Sequence, residues 1–179
     1  MKFIFEKLEI PDVLLIKPKV FEDKRGILSQ VYDKDEFYEN GINLEFVQDI
    51  YTVSKKNVIR GLHFQNKPKE QAKLVQCLKG KVLDIAVDIR KNSKTFGKYV
   101  SCILSEYNKN ILFIPEGFAH GFLALEENNL LLYKLSNKHF DEYQNGIRWN
   151  DKDININWNI DNPIISDKDK NLPFLKEII

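Results

Sequence analysis

The chain has 179 residues, the length of one ordinary domain, and 43% of them are hydrophobic, enough for a compact core. Its 27 lysines and arginines nearly cancel its 26 aspartates and glutamates, so it lacks the basic surplus of a nucleic-acid binder, and any anion site must be a local cluster of cations. No apolar run approaches the roughly 20 residues of a membrane span, the start turns acidic at Glu6 without the apolar core of a secretory signal, and Cys77 and Cys102 are not spaced as metal ligands, so the expectation is a cytoplasmic protein with two reduced thiols.

In chain order, strand signals fall at residues 13–18 and 28–32, and a short helix at 35–40 is closed by Gly41. A strand follows at 45–52. Residues 73–78 and 82–89 read as a hairpin about Gly80. In its second arm Leu83, Ile85, Val87 and Ile89 alternate with Val82, Asp84, Ala86 and Asp88, giving one apolar face and one that carries carboxylates. Further strands fit 99–104, 111–114 and 130–135. There is no long amphipathic helix, repeat or linker, so residues 1–179 read as a single all-β domain, an antiparallel sandwich or barrel with a few short helices. The tail from Asp161 onward is polar and aperiodic, the composition of a frayed terminus.

Four segments are dense enough in functional groups to carry chemistry. In Val58-Ile59-Arg60-Gly61-Leu62-His63-Phe64-Gln65, a two-residue period puts Arg60 and His63 on opposite faces unless Gly61 hosts a bulge, which would turn both inward. In Gln71-Ala72-Lys73-Leu74-Val75, Lys73 shares a face with Val75 and Cys77, a pattern that also fits a snorkelling surface cation. Ile114-Pro115-Glu116-Gly117-Phe118-Ala119-His120-Gly121-Phe122 reads as a loop between strands. Tyr133 lies in the apolar run Leu130-Leu131-Leu132-Tyr133-Lys134-Leu135, where a Tyr is ordinarily core. The three histidines, His63, His120 and His139, lack the close spacing of a metal site, and neither Cys sits where a nucleophile would be activated.

These segments, together with Arg25-Gly26, Phe46-Val47-Gln48-Asp49, Asp84-Ile85-Ala86-Val87-Asp88-Ile89-Arg90, Thr95-Phe96-Gly97, Gly146-Ile147-Arg148-Trp149-Asn150-Asp151 and Ser166-Asp167-Lys168-Asp169, resemble in order and over nearly the whole chain the dTDP-4-dehydrorhamnose 3,5-epimerases. The resemblance implies a jelly-roll barrel of the cupin type without metal or other cofactor. It implies a homodimer whose N-terminal strand pairs with the partner's sheet, and a nucleotide-linked 4-keto sugar as substrate, for surface-polysaccharide synthesis. A ketone at C4 acidifies the hydrogens at C3 and C5, so inversion needs a base on one face, a stabiliser of the enolate oxygen and an acid on the other face.

His63 fits the base, with Asp169, by the resemblance, fixing its tautomer. Lys73 fits the enolate stabiliser, with Asp84 orienting its ammonium, and Tyr133 fits the acid. Arg25, Arg60 and His120 are expected on sugar hydroxyls and pyrophosphate, and Gln48, Gln65, Asp84, His139 and Lys168 complete the expected substrate contacts. The chain departs from the family pattern at Ile50, where Asn is usual, at His139, where Tyr is usual, and at Gln30, where Glu is usual. Those departures touch substrate positions and keep a GDP-linked 4-keto-6-deoxy-heptose in view as the alternative. A 3,4-ketoisomerase of nucleotide sugars and a barrel that only binds sugars are the rivals in other classes.

Overall fold

A computed structural model describes residues 2–178; Met1 and Ile179, at the ends of the chain read above, lie outside the described residues. In chain order the strands are β1 (Phe3–Lys7), β2 (Leu14–Pro18), β3 (Val20–Asp23), β4 (Gly26–Ser29), then helix α1 (Lys34–Glu39), β5 (Gln48–Ser54), β6 (Ile59–Gln65), β7 (Lys73–Lys79), β8 (Lys81–Asp88), β9 (Tyr99–Ser105), β10 (Ile111–Ile114), β11 (Phe118–Ala124), β12 (Asn129–Leu135), β13 (Gln144–Gly146) and helix α2 (Asp167–Lys170). A six-stranded antiparallel sheet runs β1-β2-β10-β7-β12-β5 and faces a five-stranded sheet ordered β13-β6-β11-β8-β9. This is the expected antiparallel jelly roll.

The core between the sheets is built from both inner faces. Val75 and Cys77 of β7, Leu112 and Ile114 of β10, and Leu131, Tyr133 and Leu135 of β12 meet Val82 and Ala86 of β8, Val100 and Leu104 of β9, and Phe118 and Phe122 of β11. Each sheet also has a covered outer face. On the six-stranded sheet, Phe37 of α1 and Ile42 pack with Phe3, Ile16, Leu74 and Ile111. Residues 154–178 cover the five-stranded sheet, where Ile154, Trp158 and, from the tail itself, Leu175 with the partly buried Ile165 and Ile178 pack with Ile59, Leu62, Ile85, Val87 and Leu123. The segment that composition would leave frayed is therefore ordered, because it brings apolar residues to a sheet face that is otherwise bare.

Several expectations change. Residues 73–78 and 82–89 do not form a hairpin. Gly80, at φ +81°, carries the chain from one sheet to the other, so β7 pairs with β10 and β12 while β8 pairs with β11 and β9. Both faces of β8 are buried, its carboxylates included, because one looks between the sheets and the other is under the tail. The supposed loop 114–122 is mostly the central strand β11; only the turn at Gly117, φ +81°, is irregular. The strand expected at 28–32 begins and ends earlier and forms a hairpin with β3, whose residues are all exposed. Helix α1 starts one residue earlier than read, because the Asp33 side chain accepts the Glu36 N–H at 3.2 Å and caps it.

The bulge expected at Gly61 is present. β11 pairs His120 with His63 and Phe122 with Arg60, so three steps on β6 match two on β11. The crossing is close. A Cβ on Gly61 would lie 2.5 Å from Gly121 Cα, and one on Gly121 would lie 2.8 Å from the Arg60 carbonyl oxygen. Gly61 also holds φ +125°, a conformation that costs other residues about 1–3 kcal/mol. Gly61→Ala should lower stability by at least that amount, read as a fall in the urea midpoint; an unchanged midpoint would mean that β6 and β11 separate without penalty.

Candidate active site

The bulge turns Arg60 and His63 into a cavity of about 140 Å³ that opens between the sheets. His120, Phe122, Gln65 and Gln144 line it from the five-stranded side, and Ile50, Thr52, Lys73, Tyr133 and Leu135 from the six-stranded side. Four of the sequence-derived groups thus converge: His63 on one wall, Lys73 and Tyr133 on the other, and Asp169 behind His63.

The His63 Nε2 donates to Asp169 Oδ1 at 2.8 Å across 106 residues of sequence. That tautomer leaves the lone pair of the imidazole on Nδ1. The second carboxylate oxygen of Asp169 accepts the Gly61 N–H at 3.2 Å. Burial pushes the Asp169 carboxyl up, but the His63 hydrogen bond and charge and the Gly61 N–H outweigh it, so the group stays below the usual carboxylate range and is ionised. Asp169 belongs to α2, whose N-cap Ser166 accepts the Asp169 N–H at 3.1 Å.

Lys73 is 8% exposed, not a surface cation. Its Nζ donates to the His63 carbonyl at 3.2 Å. Burial lowers its pKa to about 8, and the nearby charge of Asp84 limits the fall. Tyr133 is 7% exposed; burial raises its phenol above the ordinary value, so the hydroxyl is protonated. The Thr52 hydroxyl lies close enough to favour the phenolate slightly, yet Thr52 Oγ1 has no partner in good hydrogen-bond geometry among the described residues. The Tyr133 ring meets the His120 ring edge to face with centroids 5.8 Å apart.

Asp84 does not orient the Lys73 ammonium by a hydrogen bond, nor does it touch the cavity. Fully buried, it accepts from His120 Nε2 at 2.8 Å, because its strand lies beside β11 and not beside β7. Its other oxygen, Oδ2, has no partner among the described residues. Burial keeps His120 below the usual histidine range despite Asp84, so the ring is neutral near pH 7.

The remaining expected substrate contacts divide. Arg60 lines the cavity and is held by Ser54 Oγ at 3.0 Å. Gln65 lines it too, but its amide nitrogen donates to the Lys69 and Lys138 carbonyls and its oxygen accepts the Phe140 N–H, so its polar atoms brace loops. His139 stands at the rim, where its Nε2 reaches Asp141 at 3.0 Å. Gln48 is one step behind, accepting the His139 N–H at 2.8 Å. Lys168 is likewise behind the wall, donating to the side chain of Gln144. Arg25 is far from this cavity: it sits in the exposed β3–β4 hairpin, 84% exposed, paired with Asp23.

A larger groove of about 910 Å³ adjoins the cavity through Phe64, Gln65 and Gln71. Of the cations that line it, Arg90 is engaged by Asp88 and Asp12 and stacks 4.7 Å from Phe118. Among the described residues no three His, Cys, Asp or Glu groups come together as a metal site. What sequence reasoning missed were Thr52, Phe64, Gln71, Phe122, Leu135 and Gln144; alternation along β5, β11 and β12 was the available signal for Thr52, Phe122 and Leu135.

The family model described as dTDP-4-dehydrorhamnose 3,5-epimerase matches residues 7–177. The dTDP-4-dehydrorhamnose 3,5-epimerase of Shigella flexneri is 51% identical over 166 residues, 92% of each chain. The crystal structure of dTDP-6-deoxy-D-glucose-3,5-epimerase from Legionella pneumophila in complex with dTDP-4-keto-L-rhamnose is 37% identical, with a TM-score of 0.96 over 99% of this chain and 95% of that one. The structure of dTDP-4-dehydrorhamnose 3,5-epimerase from Bacillus anthracis with TDP and PPi bound is 39% identical, with a TM-score of 0.94 over 96% and 99%.

Burial raises both thiols, Cys77 to about 11 and Cys102 well above its ordinary value, so neither is a thiolate near neutrality. Iodoacetamide at pH 7.5 should leave both unmodified in the native protein and alkylate both in denaturant, read by mass. Rapid native alkylation of either would reopen a nucleophilic role.

Proposed function

The chain belongs to the dTDP-4-dehydrorhamnose 3,5-epimerase family, and from that premise we propose that it inverts C3 and C5 of a dTDP-linked 4-keto-6-deoxy sugar through an enolate. The observation that carries the reading is the placement of the His63–Asp169 pair and of Tyr133 on opposite walls of one cavity. His63 Nδ1 takes the proton from one face of the ring, and Asp169 stabilises the imidazolium that forms. Lys73 faces the oxygen on which the charge grows, and its burial beside Tyr133 strengthens the attraction relative to bulk water. Tyr133 delivers a proton to the opposite face. The relatives carry dTDP names, which favours this substrate over the GDP-linked heptose and over carbonyl migration.

A cavity of about 140 Å³ is well below the roughly 300–1,000 Å³ of a site that encloses a drug-sized ligand. It suits the sugar ring, with the nucleoside diphosphate outside. We therefore also propose a homodimer, with the 179 residues acting as one domain in each copy. The N-terminal strand expected to meet the partner's sheet is β1, which pairs with β2 of its own chain along one edge and stands at the end of the six-stranded sheet, leaving its other edge for a partner strand. The projecting element is the β3–β4 hairpin, whose Phe21 and Leu28 are exposed, as are Tyr51 and Val53 on edge strand β5. Arg25, remote from its own cavity, then reaches phosphate only at a second copy's site. A cytoplasmic location suits a nucleotide-sugar substrate; among the described residues no helix is long and apolar enough to cross a membrane.

Two outcomes test the assignment in heavy water with dTDP-4-keto-6-deoxyglucose. His63→Asn should abolish deuterium uptake at both carbons. Tyr133→Phe should keep stability within about 1 kcal/mol and lower inverted product at least about 100-fold, while uptake with retained configuration persists. Inverted product at the wild-type rate from either variant removes that residue from its role.

The pH profile tests Lys73. A buried ammonium with its pKa lowered to about 8 is charged below that value and neutral above it. If the cation stabilises the enolate, kcat/KM, which reports the free enzyme, should fall as pH rises through about 8. A profile flat to well above that pH would show that the charge on Lys73 is not used.

A further inference from the structure

The segment Gly146-Ile147-Arg148-Trp149-Asn150-Asp151 is one of those that carry the family resemblance, yet none of its residues lines the cavity. It instead touches both frameworks that hold the His63–Asp169 pair. On the strand side, Gly146 stands opposite His63 in the β13–β6 ladder, and Ile147 exchanges both backbone hydrogen bonds with Leu62, at 3.0 and 2.9 Å. A Cβ on Gly146 would lie 2.6 Å from the Leu62 carbonyl oxygen and 2.8 Å from Leu172 Cδ1, so the tail packs where only glycine leaves room.

On the tail side, Arg148 grips the chain just beyond Asp169. Its backbone N–H donates to the Pro173 carbonyl at 2.9 Å, its Nε to the Leu172 carbonyl at 2.9 Å, and its guanidinium stacks 4.4 Å from the centre of the Phe174 ring. Asp151, 3% exposed, accepts the Leu175 N–H on Oδ2 at 2.6 Å, while its Oδ1 holds its own turn through the Asp153 and Ile154 N–H groups. Upstream of Asp169 the tail is held where Ile164 pairs with Asn57 and Ile59. Between those anchors α2 has four residues, too few to hold a helix unaided.

We propose that Arg148 and Asp151 are positioning residues that pin tail residues 172–175 to the strand carrying His63, and so set the geometry in which Asp169 meets the imidazole. The step from Arg148 to the reaction runs entirely through Asp169, which rests on the dyad reading above. A displacement of about 1 Å at such a group costs roughly 100-fold in rate, so the latch is worth a measurable part of kcat without touching substrate.

The test is a double-mutant cycle of Arg148→Ala and Asp169→Asn, read as kcat, KM and deuterium exchange with dTDP-4-keto-6-deoxyglucose. Arg148→Ala alone should lower kcat by about 10- to 100-fold with KM unchanged, and Arg148→Lys, which keeps a cation and a donor but not the planar stack, should fall in between. In the Asp169→Asn background the same substitutions should have no further effect, the non-additivity expected of residues that act as a unit. Equal losses in both backgrounds, or a raised KM with unchanged kcat, would overturn the proposal while leaving Asp169 in its role. Should Arg148→Ala fail to fold, the cycle with Arg148→Lys decides by the same criterion. Full activity of Asp169→Asn by itself would instead defeat the dyad reading and this inference with it.

Discussion

The geometry of the cavity depends on how closely β6 and β11 approach. With Gly61 opposite Gly121, the two backbones meet at a distance that excludes even a methyl group. That contact accommodates the extra residue on β6, and the extra residue reverses the side-chain alternation between Arg60 and His63. Both then face inward, where a regular strand would send one of them under the tail. The same irregularity leaves the Gly61 N–H without a ladder partner and directs it to Asp169 Oδ2. One close approach therefore aims the imidazole and supplies the second hydrogen bond of the carboxylate that holds it.

Burial acts with opposite sign on the groups around this cavity. It moves Lys73 and His120 down and Tyr133 up, in each case disfavouring the charged form. The charge of Asp84 works against burial at Lys73, keeping the ammonium the dominant form at neutral pH although their side chains are not hydrogen-bonded. The site at rest thus presents the Lys73 cation, the neutral Tyr133 phenol and the neutral His120 imidazole. An oxyanion near Lys73 adds a counter-charge that the ammonium lacks at hydrogen-bonding distance.

The sequence was readable where local pattern decides the outcome. Strand positions at 73–78, 82–89, 111–114 and 130–135 follow from alternation and β-branched runs, and the Gly61 bulge follows from the conflict between period two and two polar residues that need one face. It was opaque where the partner is remote. The sheet change at Gly80 cannot be told from a hairpin by composition, so the sequence reading puts Asp84 on a strand paired with that of Lys73, when its neighbour is β11. The run 114–122 looks like a loop because it holds two glycines, yet Gly121 is there to admit β6 and not to turn the chain. Asp169, 106 residues from His63 in a tail without hydrophobic period, came only from the family resemblance.

The stereochemical logic lies in the division between sheets. His63 and His120 stand on the five-stranded sheet, each hydrogen-bonded to a carboxylate; Lys73 and Tyr133 stand on the six-stranded sheet and have none. Packed sheets lie about 10 Å apart, a separation that admits a sugar ring between groups projecting from the two inner faces. A base and an acid from one sheet would reach the ring from the same side and return the proton where it was removed. Taken from two sheets, they address opposite faces, and the distance between them is set by the residues that keep the sheets apart. Val75, Leu131, Val82 and Ala86 are those spacers, and Phe122 and Leu135 belong both to the core and to the cavity wall. Interior packing density is high enough to transmit a change of one methylene, so the volume of this core is itself a determinant of where the His63 and Tyr133 side chains stand.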